Sequence, residues 1–376
     1  MGLLSIQVIQ VGQKTGGFVS SIKCGYIKVT VPDDGIFYIQ TDGFIPLSST
    51  ELIKKDRTNF DLRPRVVSVE KEGHKKDVDN LVKTFPVKFE ESLNVFALVE
   101  HGWLPPPLAL SDVYLCDRNV ISSFEQVQSG RKSDDYSSVC WWFSFFDSAG
   151  DNVFIEMSSV FSALEGEFRK IPTFEEFDDL LNRSNEIISS QLKKVTLTDL
   201  SSSYKKGIYD FFFNGNYNRE MDFLLSVVPK ITRSVSKLNR RLVLDEIIEK
   251  ARLFGLKPFS HVLVLSISCL FESPTSNFKF ARKILKPSLN YTREDGHNCL
   301  SDIIFINLLL LHKYFVNKSS VAVTSDLALA YYWSTVTPIV SYDCESFSYM
   351  LKISDSVFED ANTDDFSYIM DVMSDL

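Results

Sequence analysis

The chain has 376 residues, 44% of them hydrophobic and 24% charged, which is enough apolar material for one large α/β domain with additions or for two domains. Its net charge of −9 excludes general electrostatic coating of nucleic acid and leaves only local basic patches for that purpose. The six cysteines (Cys24, Cys116, Cys140, Cys269, Cys299, Cys344) form no C-x-x-C pair, which argues against a disulfide framework or a zinc site and for a reducing compartment.

The opening residues Met1 to Val8 lack a basic segment and a cleavage site, so no signal peptide is expected. Residues 5–100 carry Val, Ile, Tyr and Thr without helical periodicity, punctuated by Pro32-Asp33-Asp34-Gly35 and Asp42-Gly43. They predict a small β-rich module over 1–104. Strands are expected at 65–69 and 82–99, with the charged stretch Glu70 to Asp79 between them. Pro105-Pro106-Pro107 reads as an extended spacer closing the module.

Val113-Tyr114-Leu115-Cys116 then predicts a buried strand ending on Asp117, followed by a helix from Arg118. A second helix, over 135–146, is crowded with Trp141, Trp142, Phe143, Phe145 and Phe146, a pattern that favours core packing over a base-stacking surface. A helix is expected over 160–167. Pro172 breaks it, and Thr173 with Glu176 has the spacing of a capping box.

Residues 173–286 read as mainly helical. Lys230, Arg233, Lys237, Arg240 and Arg241 recur at helical spacing, with Ile231, Val235, Leu238 and Leu242 on the other face. Lys279, Arg282, Lys283 and Lys286 form a second basic group. Both groups fit either solvated faces or a track for a phosphate backbone.

Asp302 opens the apolar run 303–315, which predicts a buried helix; it is too short for a membrane span and holds His312 and Lys313. Val321-Ala322-Val323-Thr324 predicts another strand, closed by Ser325 and Asp326, with a helix from Leu327 to Trp333. From Asp343 onward the chain is acidic with interspersed apolar residues. A terminal amphipathic helix is expected there, or a strip that shields a basic groove.

No Gly-rich phosphate loop, nucleophile elbow or H-E-x-x-H is present, and the five histidines are dispersed. Carboxylates are left to carry chemistry. Strands that end on acids at one edge of a parallel sheet form the usual ligand crevice of α/β proteins. Each acid also has an ordinary explanation: Asp117 and Asp326 as helix caps, Asp302 at a positive helix end, Glu165 as a solvated helix residue.

The segments D-R-N-x-x-x-x-F at 117–124, A-L-E-G at 163–166, S-D at 301–302 and T-S-D at 324–326 together resemble the PIN-like nuclease family, over roughly residues 110–345. The resemblance implies a three-layer α/β/α domain with a central parallel sheet over 110–345, here with a helical insertion over 173–286, the β-rich module before it and an acidic tail over 346–376. It implies Asp117, Glu165, Asp302 and Asp326 as ligands of Mg²⁺ or Mn²⁺, with Glu156 and Glu167 as competitors for the place of Glu165. Asn119, Thr324, Ser325 and Asp295 would orient carboxylates or waters.

The activity implied is hydrolysis of a phosphodiester, RNA more than DNA, in a bacterial defence or toxin-like setting. Lys230, Arg233, Lys237, Arg240, Arg241, Lys279, Arg282 and Lys283 would hold the flanking backbone. The alternative is a catalytically inactive PIN-like module that holds a protein or RNA partner. The N-terminal module or the acidic tail offers a place for an inhibitor or partner protein. A soluble, cytoplasmic protein without a membrane partner is expected.

Overall fold

The structure, a computed structural model, describes residues 5–13, 23–31, 35–82, 84–89, 91–131, 134–147, 155–167, 169–213, 215–315, 319–342 and 347–376. In chain order the strands are β1 (Ser5–Gln13), β2 (Lys23–Val31), β3 (Gly35–Phe44), β4 (Asn59–Leu62), β5 (Pro64–Lys71), β6 (His74–Val82), β7 (Phe85–Lys88), β8 (Phe96–Val99), β9 (Gly102–Leu104), β10 (Val113–Cys116), β11 (Ile155–Ser158), β12 (Val195–Leu197), β13 (Ser320–Thr324), β14 (Val336–Tyr342) and β15 (Phe347–Ile353). The helices are α1 (Ser49–Leu52), α2 (Arg118–Gln128), α3 (Asp134–Asp147), α4 (Val160–Glu165), α5 (Phe174–Gln191), α6 (Ser202–Phe213), α7 (Tyr217–Val227), α8 (Lys237–Leu253), α9 (His261–Phe271), α10 (Phe280–Leu285), α11 (Arg293–Phe315), α12 (Leu327–Trp333) and α13 (Thr363–Ser374).

The chain divides into two compact units. The first comprises Met1–Val160, Arg183–Thr198 and Leu311–Leu327; the second comprises Phe161–Asn182, Asp199–Leu310 and Ala328–Leu376.

The first unit holds a six-stranded sheet in the order β12-β11-β10-β13-β8-β9. The pairs β12–β11, β11–β10 and β10–β13 are parallel, and β13–β8 and β8–β9 are antiparallel. The mixed α/β class follows from the sequence pattern. Val113–Cys116 is buried throughout, as expected of a strand covered on both faces. A separate antiparallel sheet, β1-β2-β3-β5-β6, precedes it.

The charged stretch around residue 72 is a hairpin, not a break. Lys71 pairs with His74, and Glu72 (φ 51°) and Gly73 (φ 80°) occupy the two loop positions. Positive φ at both is the type I′ geometry that matches strand twist.

The three prolines do not form an extended spacer. Pro106–Leu108 is a buried 3₁₀ turn, and β8 and β9, just before it, belong to the six-stranded sheet. What holds this junction is Trp103, fully buried, stacked edge-on to Phe96 (5.4 Å) and Phe60 (6.0 Å), its indole N–H donating to the Ser48 carbonyl (2.9 Å). Such a side chain contributes about 3 kcal/mol by burial. Helix α3 buries Trp142, Phe143 and Phe146, in keeping with the core reading of its aromatic run.

The second unit is mainly helical. Every residue of α9 is buried, which makes it the centre of this unit's core. Helix α5 begins at the expected capping box: Glu176 accepts from the Thr173 amide (2.7 Å), and the Glu176 amide donates to the Thr173 hydroxyl (3.2 Å). The helical run expected over 173–286 is interrupted by β12, three residues that extend the first unit's sheet. A segment that short has no period to read.

Helix α8 is turned differently from the amphipathic expectation. Leu238 is 92% exposed and Arg240 only 5%. The Arg240 guanidinium is paid for by specific partners: Asp360 Oδ2 (2.7 Å), the Val235 carbonyl (3.3 Å) and the face of Phe271 (5.5 Å). The acidic tail ends in α13, an amphipathic helix capped by Asn362 and burying Ile369 and Met373. Among the described residues no helix is long and apolar enough to cross a membrane. Cys116, Cys140, Cys269 and Cys299 are unbridged thiols.

Candidate functional site

Strands β10 and β13 lie side by side with Cys116 opposite Val323. Their carboxyl ends therefore deliver Asp117 and the turn Thr324-Ser325-Asp326 to one edge of the sheet, although about 200 residues separate them in sequence. The Asp117 amide continues the ladder by donating to the Val323 carbonyl (2.9 Å). That backbone bond holds the residue at the strand end while its side chain turns into the sheet edge.

Asp117 stands at the N-cap position of α2, yet its side chain makes no capping hydrogen bond. The Arg118 amide at the start of α2 still favours the charged form, so the helix start accounts for only part of the surroundings of Asp117. Its carboxylate is 3% exposed and accepts instead from Asn119 Nδ2 (2.5 Å) and from the Thr324 hydroxyl.

The surrounding polar groups interlock. Thr324 Oγ1 accepts from the Asp326 amide (2.9 Å) and from Asn119 Nδ2 (3.2 Å), and Asn119 Oδ1 accepts from the Ser325 amide (2.9 Å). Asn119 is thereby oriented at both ends of its amide. Burial pushes the Asp117 carboxyl up to about 7; the Thr324 hydroxyl works against that shift and the nearby Asp326 carboxylate adds to it. Burial also raises the neighbouring Cys116 thiol, with Asp117 adding to it, so that sulfur is an inert part of the core.

Of the expected site residues, the structure brings Asp117, Asn119, Thr324, Ser325 and Asp326 together in the first unit. Glu156 does not reach this edge. It pairs with Val113 at the opposite end of β10, about 13 Å of strand away from Asp117.

Glu165 and Asp302 belong to the second unit. Glu165 is the last residue of α4, half-buried, and is followed by Gly166 in the left-handed region (φ 74°), whose amide closes the helix on the Ala163 carbonyl (3.2 Å). Glu167 lies beyond that turn. Asp302 does not open its helix: α11 begins nine residues earlier, at Arg293. The start signal is a capping pair in which Asp295 accepts from the Thr292 amide (3.0 Å) and hydroxyl (3.1 Å) while its own amide donates back to Thr292 Oγ1 (3.3 Å). Asp295 is therefore engaged as a cap.

The two basic groups lie in the second unit and are largely neutralised there. Lys230 pairs with Glu246 (2.6 Å), Lys237 with Asp360 (3.6 Å), Arg241 with Asp365 (3.1 Å) and Arg282 with Glu272 (3.4 Å). Arg282 also donates to the Thr232 carbonyl (2.8 Å), and Lys283 sits over the Phe278 ring (4.2 Å). Arg240, being buried, is not on an exposed basic face. Arg233 is exposed and Lys279 half-buried.

Sequence reasoning missed a buried histidine on α11, His297, with Nε2 2.8 Å from the Glu165 carbonyl oxygen and Nδ1 2.5 Å from the Tyr217 hydroxyl; dispersed histidines carry no local signal.

Among the described residues no group of three or more His, Cys, Asp or Glu side chains could hold a metal ion. The first unit supplies a carboxylate pair with hydroxyl and amide oxygens beside it. That donor set fits a hard divalent cation such as Mg²⁺, which takes oxygen ligands and is often anchored by one or two carboxylates while keeping several waters. Compared with known proteins, the chain matches no family model, no curated sequence and no solved structure.

Proposed function

We propose that this chain is a PIN-like, Mg²⁺- or Mn²⁺-dependent phosphodiesterase acting on nucleic acid, RNA more than DNA. The observation that carries the reading is the juxtaposition of Asp117 and Asp326 at the ends of neighbouring parallel strands, with Asp117 buried, not capping its helix, and held by Thr324 and Asn119. Burying a carboxylate costs stability, and such costs concentrate where chemistry is done.

A divalent ion bound here would lower the pKa of a water and offset charge developing on the phosphoryl oxygens. Asp117 and Asp326 would anchor it through their carboxylate oxygens. Thr324 keeps one Asp117 oxygen engaged through its hydroxyl. Asn119 fixes the rotation of the same carboxylate. Protons compete for Asp117 up to about pH 7, so the ionised form needed by a cation is favoured above that value.

The test is thermal stabilisation of the chain by Mn²⁺ together with cleavage of a labelled single-stranded RNA, each repeated with Asp117→Asn and Asp326→Asn. The proposal expects stabilisation and cleavage in the wild type and loss of both in the variants. A wild type whose melting point is indifferent to millimolar Mn²⁺ overturns it.

The second reading, a non-catalytic PIN-like module that holds a partner, is favoured by one observation: no third ligand joins the pair among the described residues. It expects RNA or protein binding that persists in the Asp117→Asn chain, without cleavage.

A further inference from the structure

Not every cation of the second unit is paired. Lys230, Lys237, Arg241 and Arg282 each have a carboxylate partner, whereas among the described residues Lys279, Lys283 and Lys286 have none. Lys283 lies on α10, and Lys279 and Lys286 flank that helix as its caps. Intervals of four and three residues keep positions on one side of a helix, so three like charges fall within about 10 Å along its axis. Lys283 and Lys286 are exposed, and Lys279 is half-buried.

Glu272 is within electrostatic reach of Lys279 but is buried and committed elsewhere. One of its oxygens accepts from the amides of Ala281 (2.8 Å) and Arg282 (3.2 Å), and the other lies 3.4 Å from the Arg282 guanidinium. That carboxylate holds the start of α10 and leaves the three lysines uncompensated.

Beside them a ladder of aromatic rings climbs from the core to the surface. Tyr332 on α12 and Phe280 on α10 are 0% and 4% exposed, with centroids 6.0 Å apart and 16° between their planes. Tyr331 lies 5.2 Å from Phe280, and Phe278 lies 5.2 Å from Tyr331; both outer rings are half-buried. Lys283 Nζ tops the ladder, 4.2 Å from the centroid of Phe278. Ser276 fixes the Phe278 backbone, its hydroxyl accepting from the Phe278 amide (3.3 Å) and donating to the Phe278 carbonyl (3.2 Å).

Core packing accounts for the two inner rings. The outer pair keeps part of its surface in water, next to cations that no acid offsets. A nucleic-acid single strand matches that combination, because each base offers a π face and each phosphate a charge. A duplex hides its base faces and would engage only the lysines. A stacked base gains more from a ring than an exposed ammonium does, so a base displaces Lys283 from Phe278 and leaves it for a phosphate.

We infer that Phe278 and Tyr331, with Lys279, Lys283 and Lys286, form a binding platform for single-stranded nucleic acid. Phe278 stacks a base and the lysines contact the backbone. The platform lies wholly in the second unit. It shares with the reading above only the class of ligand, and it needs no metal ion.

The experiment is fluorescence anisotropy of the full chain with a short labelled oligouridylate and with an RNA duplex of equal length, in EDTA so that no metal-dependent cleavage intervenes. The single strand should bind about 10-fold or more tightly than the duplex. Its affinity should fall with salt at a log–log slope of about −2, as three phosphate contacts on a single strand require. Lys283→Ala should reduce that slope by about 0.7. Phe278→Leu keeps the apolar packing, loses the ring and should weaken single-strand binding about 10-fold, while Phe278→Tyr should retain it. Thermal melts accompany each variant; should Phe278→Leu not fold, the salt slope of the exposed Lys283→Ala variant decides.

No binding, equal binding of duplex and single strand, or binding that Phe278→Leu and Lys283→Ala leave unchanged overturns the platform. Those results leave the Asp117 and Asp326 reading standing wherever Mn²⁺ still stabilises the chain. A chain indifferent to Mn²⁺ that binds the single strand through Phe278 overturns that reading and keeps the platform.

Discussion

The Thr324 hydroxyl donates to the Asp117 carboxylate across 207 residues of sequence, and the same oxygen accepts the Asp326 amide. One hydroxyl thus links both acidic strand ends. The hydroxyl favours the charged form of the carboxylate, but burial outweighs it and pushes the group up to about 7.

Replacing Thr324 by valine keeps the β-branched shape but removes the three hydrogen bonds of its hydroxyl, with Asp117, the Asp326 amide and Asn119 Nδ2. The Asp117 oxygen and the Asp326 amide lose a partner in a buried place, so stability should fall by about 1–3 kcal/mol. A urea unfolding midpoint checks this. Serine at the same position keeps the hydroxyl and should lose less than half as much.

The Asp117 carboxyl titrates at about 7 in the folded chain, while an unfolded aspartate titrates near about 3.9. Between those values the folded state holds a proton that the unfolded state has released. Stability contributed by this group is therefore full below about pH 4 and declines as pH rises to 7, by an amount on the order of 2–4 kcal/mol. Glu220 and Glu272, also raised to about 7 chiefly by burial, add slopes of the same sign. The informative quantity is the difference between chains: in metal-free buffer Asp117→Asn should remove part of the decline, and should be as stable as the wild type or more so at pH 8. An Asn chain that tracks the wild type in parallel from pH 4 to 8 would contradict the assignment.

His261 behaves in the opposite sense. Burial lowers its pKa to about 3, with 1% of the residue exposed and the Tyr332 hydroxyl 2.7 Å from Nδ1. Stability linked to this neutral ring is present above about pH 6.5 and is lost as pH falls toward 3. His261→Phe should flatten the acid limb of a stability profile between pH 6 and 4 relative to the wild type, measured as the denaturant midpoint at each pH.

The Arg240–Asp360 pair should behave unlike the exposed pair that shares its carboxylate. Asp360→Ala leaves a buried guanidinium without its charge partner and should cost about 3 kcal/mol. Lys237→Ala removes a largely exposed ammonium 3.6 Å from the same acid and should cost well under 1 kcal/mol. Thermal melts of the two variants, compared side by side, decide the ranking.

Several features were legible in the order of residues because they are local. The strands Val113–Cys116 and Ser320–Thr324 announce themselves as short apolar, β-branched runs closed by polar turns, the mark of strands buried on both faces. The capping box at Thr173 and Glu176 is a three-residue interval, and the aromatic content of α3 admits few fates besides the core. From these the α/β class and the pairing of two acidic strand ends could be anticipated.

Tertiary structure alone decided the rest. Arg240 went inward and Leu238 outward because Asp360 and Phe271, far along the chain, offer the guanidinium a pair and a ring that periodicity cannot anticipate. The proline run became part of a buried 3₁₀ turn that follows the strand holding the fully buried Trp103, a burial that no local pattern announces. β12 is a strand only because β11 has an edge to give it. The Asp117 carboxylate found its hydroxyl partner 207 residues away. A sequence specifies which groups prefer burial and which short intervals cap or turn; which buried charge finds its partner depends on contacts whose closure entropy only the whole fold repays.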